Sequence, residues 1–573
     1  MDSFKGKEFI AVLVLSVLAI LSWLPRLAGP IDLRWDGAAY YVLGTALAGG
    51  KGYRLLNEPG EIQTTLHPPM LPLIVALHQL ALQTDDIVTV GRWLRCFSLI
   101  IFVAYVIATY FMLRLFLPPG YSVLAGMICL LQLHTVFMSD LNFPEIQFSL
   151  ATVLFTLCNA KHSNLPQGIL RAALSVIAFA LRTIGIALLV AWMIESVFQR
   201  RYKQAVMRLV ILLVPVICWI MYIAHVESGQ EYKNLLYEYQ RADYAYVNVS
   251  YARNMKLKDP FIPELGYATL EDRFGRFFSN LSIMPITLGE AVSVKKDLWS
   301  LLRQEFNARV GYSMLHSKIV DITLICLVLF IAGGIWHQLA SRQYFIPFYT
   351  LLSMALICVT PWQVQFNRYM APLAPFLVLS FFLGLKIAVG RVARLMPSKE
   401  SIINRCLICL VITPILVSQF AVLVMLYTKW HQKAAIADTN GLKVDYRLFF
   451  YYDIDRATDA GLDWIKKRAR GGEVIAATNP QWAYLRTGVK SVLPPLEIDV
   501  REAQRLLDSV PIRYLMVDDG IFHKYTSRVV AENPARWLKV YTSPSTDTSR
   551  ENDGGKIEIY ERVGKPQIRK KPR

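Results

Sequence analysis

Charge is what this sequence has least of. Asp, Glu, Lys and Arg together make up 18% of its 573 residues, below the quarter usual in soluble domains. Glycine is modest at 31 residues with no Gly-X-Y period, which excludes a collagen-like chain. There are 8 cysteines, all inside or beside apolar blocks. They read as small buried hydrophobes, and their spacing suggests neither a disulfide framework nor a zinc site. No internal repeat and no low-complexity tract is present. Apolar residues fill the space left, at 54% with 12% aromatics and a mean hydropathy of +0.36, which excludes a disordered chain. They arrive in blocks near 20 long framed by charges, the pattern of a polytopic α-helical membrane protein.

The first block, 9–27, follows MDSFKGKE. Trp23, Leu24, Pro25 and Arg26 make a poor cleavage site, so the block is expected to stay as a membrane helix rather than leave as a signal peptide. Further blocks run roughly 93–117, 121–138, 141–159, 205–226, 317–337, 343–361, 369–390 and 402–427. The stretch 165–200 reads either as one long helix through Arg182 or as two short helices meeting at Arg182-Thr-Ile-Gly185. A single helix would send Arg200, Arg201 and Lys203 to the outer face. The hairpin instead keeps them inside with Lys5, Lys7, Arg114, Lys161, Arg171, Arg342, Arg391, Arg394 and Arg405. Eleven membrane segments with an inside N-terminus are therefore expected.

That arrangement divides the chain into a membrane domain, 1–427, with outer loops 29–92 and 227–316, and an extracytoplasmic α/β domain, 428–573. Short strands at 473–478, 513–517 and 556–560 and a helix at 500–509 mark the latter. The tail KPQIRKKPR is expected to be disordered. The net charge of +18 sits in loops and at helix ends, where it suits membrane lipids rather than nucleic acid.

In the first outer loop Asp36 opens a helical run (Ala39, Tyr40, Leu43, Ala46, Leu47) that Gly49-Gly50 stops. The run is expected to lie along the membrane surface. Asp36 is either a helix N-cap or a site carboxylate, or both. Asp140 and Glu145 form a second acidic pair, in SDLNFPE, at the end of one apolar run and the start of the next. Carboxylates at membrane depth cost roughly 2.5–3.5 kcal/mol, which favours a site or a partner over chance. An acid at a helix N-terminus is the simpler reading. Arg182 lies between apolar residues, and Arg368 in QVQFNRYMAPL caps another helix on the same side; guanidinium forks suit phosphate oxygens. For Arg368 the simpler reading is a snorkelling anchor. Glu58, Glu61 and His67 are either ligands of a divalent ion or an ordinary solvated loop. Tyr40 and Arg54 are candidates for contacting an acceptor or supporting the site.

Several of these segments together resemble a known group. DGAAYYVLGTALAGGKGYR, HPPMLPLIVAL, SDLNFPEIQFSL, LRTIGIALL and FNRYMAPLAPFLVL follow one another as in the GT-C superfamily of membrane glycosyltransferases, in the style of protein O-mannosyltransferases and aminoarabinose transferases. The resemblance implies an inverting transfer of sugar from a polyprenyl phosphate to a lipid, glycan or protein acceptor, in a cell (inner) membrane with the site outside. By position it implies that Asp36 is the first-loop base and Asp140 the second acid. Arg182 and Arg368 match places where basic residues recur and would take the donor phosphate. The first loop carries a lone Asp36 followed by glycine rather than a paired Asp-Glu, which leaves the metal and the acceptor class open. A transporter or flippase is the competing class. It would spread charge along a path between repeated halves, whereas these charges gather at one face.

Overall fold

The computed structural model describes residues 2–160, 165–310, 317–394, 400–544 and 555–564. Lys161 and the tail 565–573 lie outside the described residues, as do the side chains of Lys5 and Arg405. The chain forms two units. One comprises 1–27, 95–217 and 274–429; the other comprises 28–94, 218–273 and 430–573. The loop 29–92 and the first part of 227–316 thus belong with the C-terminal residues, not with the helices that flank them.

The first unit is helical. Lipid offers no partner for backbone N–H and C=O groups, so apolar blocks near 20 long satisfy them internally as helices. Six helices among the described residues are long and apolar enough to cross a membrane: Gly6–Arg26, Ile87–Arg114, Tyr202–Ser228, Lys318–Ala340, Gln363–Ala393 and Cys406–Lys429. The count reaches eight if each of two bent pairs is one span. The chain is a multi-pass membrane protein, and beside these long helices the described residues hold four shorter apolar ones, Met70–Leu82, Pro166–Leu181, Thr183–Phe198 and Phe345–Val359. Glu145–Asn159 and Phe345–Val359 are 15 residues each. The 165–200 stretch breaks at Arg182 into helices of 17 and 13 residues, so one long helix through Arg182 does not form. At that break a Cβ on Gly185 would stand 2.7 Å from the Phe179 backbone nitrogen, a closeness only glycine permits. One bent pair was not anticipated. Leu270–Val292 and Lys296–Ala308 occupy part of the expected 227–316 loop, and Met284, Leu288 and Val292 join the core of the helical unit.

That core runs through Phe155, Trp192, Tyr349, Phe376 and Phe381. Its tightest packing pairs Ser317–Ala340 with Ala374–Ala393. There a Cβ on Gly334 would collide with the Ser380 carbonyl, and one on Gly384 with the Phe330 carbonyl. Small residues let backbones approach where no hydrophobic force joins helices in lipid.

Among its described residues the second unit holds two sheets. Strands β1 (His431–Ala437) and β2 (Lys443–Phe449) form an antiparallel hairpin. Strands β3 (Val474–Ala476), β4 (Lys490–Val492), β5 (Ile512–Asp518), β6 (Trp537–Thr542) and β7 (Ile557–Arg562) order as β4-β3-β5-β7-β6. The first three strands of that order are parallel and β7 is antiparallel to both neighbours. This is the α/β fold expected of the C-terminal region, with the strands at 473–478, 513–517 and 556–560 where alternation placed them. The Val500–Asp508 helix begins where Asp499 accepts from the Arg501 and Glu502 backbone nitrogens, a standard N-cap. Ile31, Leu33, Ala38 and Tyr41 share a core with Leu448, Leu462, Tyr514 and Ile559. The tyrosine-rich stretch packs here too: Tyr237 and Tyr239 join Val474, Ile512 and Val517, and Tyr244, Tyr246 and Phe261 cover Phe522 and Tyr525.

Candidate functional site

In the helical unit, Glu145 is the first residue of Glu145–Asn159, after Pro144 at the N-cap. Its side chain is fully buried, and its Oε1 accepts from Arg182 Nη1 and from Arg368 Nε, each at 2.5 Å. Oε2 has no hydrogen-bond partner among the described residues. Arg182 is carried by the break between two helices, in extended backbone (φ −148°, ψ 132°), and Arg368 by the short helix Phe366–Met370. The guanidinium of Arg182 lies 5.2 Å from the Tyr369 ring and that of Arg368 4.2 Å from the Phe143 ring. Both arginines keep some exposure, 17% and 15%, while their shared carboxylate keeps none. One carboxylate therefore steadies two guanidinium groups, in a place where the two forks remain reachable. Planar donors set between aromatic rings are suited to an oxyanion.

Asp140 does not join this cluster through any contact described. It ends the helix Leu133–Asp140 and pairs with Arg95 Nη2 at 3.3 Å, both side chains essentially without exposure. Nearby, Arg26 is fully buried. Its Nη1 donates to the Val136 carbonyl at 2.9 Å and to Ser139 Oγ at 3.0 Å, and its guanidinium stacks 3.9 Å from the Trp23 ring. Sequence reasoning missed Arg26 and Arg95, because an arginine beside an apolar block reads as a flank reaching for headgroups.

In the sheet-containing unit, Asp36 is the first residue of the helix Asp36–Ala48; the N-cap position belongs to Trp35, which makes no side-chain capping bond. The expectation of an Asp36 N-cap is thus corrected by one residue. So is that of a helix lying on the membrane surface. Gly37 through Gly44 are all buried, because Ala38 and Tyr41, Val42 and Ala46, and Leu43 each enter a different cluster. Gly44 lets the helix meet Pro72 and Val75 of the Met70–Leu82 helix closely. Asp36 itself is half-buried. Burial, and then the negative charge of Asp36, push the Tyr246 phenol above its ordinary pKa. Trp35 takes φ 54° and ψ −130°, which costs of order 1–3 kcal/mol for a residue other than glycine.

The remaining first-loop candidates do not assemble a metal site. Glu61 is held by Lys51 at 2.9 Å and Lys490 at 2.8 Å. Glu58 is fully buried and accepts from the Tyr237 hydroxyl at 2.6 Å. Burial pushes its carboxyl up to about 7, against the lowering effect of the Tyr237, Asn248 and Gln240 side chains. His67 packs edge-on to Tyr40, ring centroids 4.8 Å apart. Among the described residues no group of three or more His, Cys, Asp and Glu is placed to hold a metal ion. Glu61 tied to two lysines, Glu58 buried against Tyr237 and His67 set edge-on to Tyr40 are not gathered around a common point for a divalent ion. Arg54 pairs with Glu231 at 2.9 Å and donates to the Glu61 carbonyl at 2.8 Å, so its fork serves the loop.

No protein-family model matches the sequence, and no curated protein is matched by it. The fold does have solved counterparts. ArnT from Cupriavidus metallidurans bound to undecaprenyl phosphate aligns at a TM-score of 0.51 and 8% identity, covering 97% of this chain and 98% of that one. Its apo state aligns at 0.51 and 10% over the same shares. The Archaeoglobus fulgidus oligosaccharyltransferase in complex with Zn and sulfate aligns at 0.50 and 11% identity, covering 89% of this chain and 68% of that one. All are GT-C superfamily membrane glycosyltransferases. The resemblance read from the short motifs is therefore matched at the level of the fold.

Proposed function

We propose that this chain is an integral-membrane glycosyltransferase of GT-C type, moving a sugar from a polyprenyl phosphate to the hydroxyl of a lipid, glycan or protein acceptor. The observation that carries the reading is the Arg182–Glu145–Arg368 cluster: two forks steadied by one buried carboxylate. The lipid phosphate is taken by these arginines. Asp36 accepts the acceptor's proton as its oxygen attacks the anomeric carbon from the side opposite the phosphate. The new C–O bond forms while the bond from that carbon to the phosphate oxygen breaks, so the configuration inverts and the polyprenyl phosphate leaves with the electron pair. A positioned carboxylate base contributes roughly 10²–10⁴-fold, and the arginines stabilise the charge growing on the leaving phosphate. Asp140, paired with Arg95, is assigned to holding its helix end rather than to proton transfer. No step is routed through a metal ion, because the residues weighed for one are otherwise engaged. The sheet-containing unit, 28–94, 218–273 and 430–573, is assigned to the extracytoplasmic side of a cell (inner) membrane, opposite the basic loops.

Purified protein incubated with labelled polyprenyl-phosphate sugars and a mixed acceptor pool tests the reading. Sugar should leave the lipid and appear on an acceptor, with free polyprenyl phosphate as co-product. Movement of intact lipid-linked sugar across a vesicle membrane without transfer would favour a flippase instead.

A further inference from the structure

Trp35 is strained and exposed at once. Its φ of 54° belongs to a region that glycine enters freely and a bulky side chain does not, and its side chain is 43% exposed. Such backbone persists only where the surroundings over-determine it, and here they do. The neighbouring Arg34 is only 4% exposed and has all five of its N–H donors engaged. Nε and Nη2 reach Asp32, the latter at 2.7 Å; Nη2 also donates to the Phe449 carbonyl at 2.7 Å and Nη1 to that of Phe450 at 3.0 Å. Nη1 completes the set with Asp455 at 3.1 Å. Burial alone would lower the Arg34 pKa, but Asp32 and then Asp455 raise it above its ordinary value, so the group stays charged. This fixed guanidinium stands 4.6 Å from the centre of the Trp35 ring. The ring is thus held beside Asp36 by a residue that has no freedom to move.

We propose that Trp35 is a stacking platform for a pyranose ring and that Arg34 is the positioning residue that presents it; the inference rests on the transferase reading above. The C–H face of a pyranose is apolar and slightly electropositive, which suits the electron-rich face of an indole, and the adjoining carboxylate accepts ring hydroxyls. A tryptophan serving only as an interfacial membrane anchor gains nothing from left-handed backbone, since any exposed helix position serves that purpose.

The test uses the full-length protein in detergent with three probes: farnesyl phosphate, farnesyl phosphate bearing a hexose, and a free disaccharide. Wild type should bind the hexose-bearing lipid about three- to tenfold more tightly than the bare one. Trp35→Gly should lose that preference, bind bare farnesyl phosphate unchanged and melt no lower, because glycine takes this φ without cost. Trp35→Tyr should keep part of the preference. Arg34→Lys should lose much of it with bare-lipid binding intact. If the preference shows instead with the free disaccharide, the ring belongs to the acceptor; if with the lipid-linked hexose, to the donor. A Trp35→Gly protein that keeps the full preference overturns the proposal and leaves the transferase reading standing. Equal weakening of both lipid probes makes Trp35 a lipid anchor and also overturns it. Should the glycine variant not fold, equal preference in Trp35→Tyr and Trp35→Ala does the same. Wild type that binds neither lipid removes the transferase reading and this inference with it.

Discussion

Asp36 and Glu145 are both first residues of helices, yet their surroundings give them opposite duties. Asp36 is half-exposed and sits one position past the cap, where an acid gains roughly 0.3–1 kcal/mol from the helix dipole. Asp36→Asn should therefore lower stability by no more than that. Turnover should fall about 10²-fold or more at unchanged donor binding, read from steady-state transfer beside a melting curve. Near-normal turnover would remove the base from this residue. Glu145 is buried under two guanidinium groups. Glu145→Gln removes the carboxylate that both guanidinium groups share and should cost about 3–5 kcal/mol, seen as a large drop in detergent melting temperature. Arg182→Lys keeps the charge and loses the planar fork. It should retain the fold and weaken binding of bare farnesyl phosphate; unaltered binding would make Arg182 an anchor only. These charges were legible in the sequence because they interrupt apolar runs. The Arg34 network was not, since Asp32 and Asp455 are brought to one guanidinium from opposite ends of the chain.

Among elements, the long apolar helices were legible because hydropathy alone specifies them in lipid. Leu270–Val292 was not: Glu271, Asp272, Arg273 and Arg276 dilute its first turns, and only its later residues enter the core. The β1–β2 hairpin was hidden for a related reason, since its Lys and Asp residues alternate with few strong apolar signals. Packing between elements turns on single atoms. Gly384 meets the Phe330 carbonyl, whereas Gly390 on the same helix has nothing within 4 Å of a Cβ. Gly384→Ala is expected to force the two helices apart and lower the melting temperature. Gly390→Ala should leave it unchanged or raise it slightly through better helix propensity. The same response from both variants would show that the close approach is unimportant.

For the molecule as a whole, sidedness and acidity are the measurable properties. Lys256→Cys and Lys467→Cys, both exposed in the sheet-containing unit, should react with a membrane-impermeant maleimide in intact cells, and Arg201→Cys only after lysis; the reverse pattern inverts the topology. The same unit should respond to pH through Glu58. Its folded pKa of about 7 stands above the ordinary 4.5, so the folded state holds a proton that the unfolded state has released. Stability then falls as pH rises from about 4.5 to about 7, by on the order of 3 kcal/mol, and is level beyond. Glu58→Gln should flatten that slope, as read from melting temperature against pH; an unchanged slope would place the titration elsewhere. A last consequence concerns synthesis. The sheet-containing unit is assembled from three separated stretches, and about 340 residues must be translated between the end of its first and the start of its third, roughly 20–70 s of ribosome time. During that interval Asp32 and Arg34 have each other but not Phe449, Phe450 or Asp455. The nascent first stretch must wait, apolar side chains unpaired, in the care of whatever shields unfinished chains, and a transcript cut short after Lys429 would leave it waiting for good.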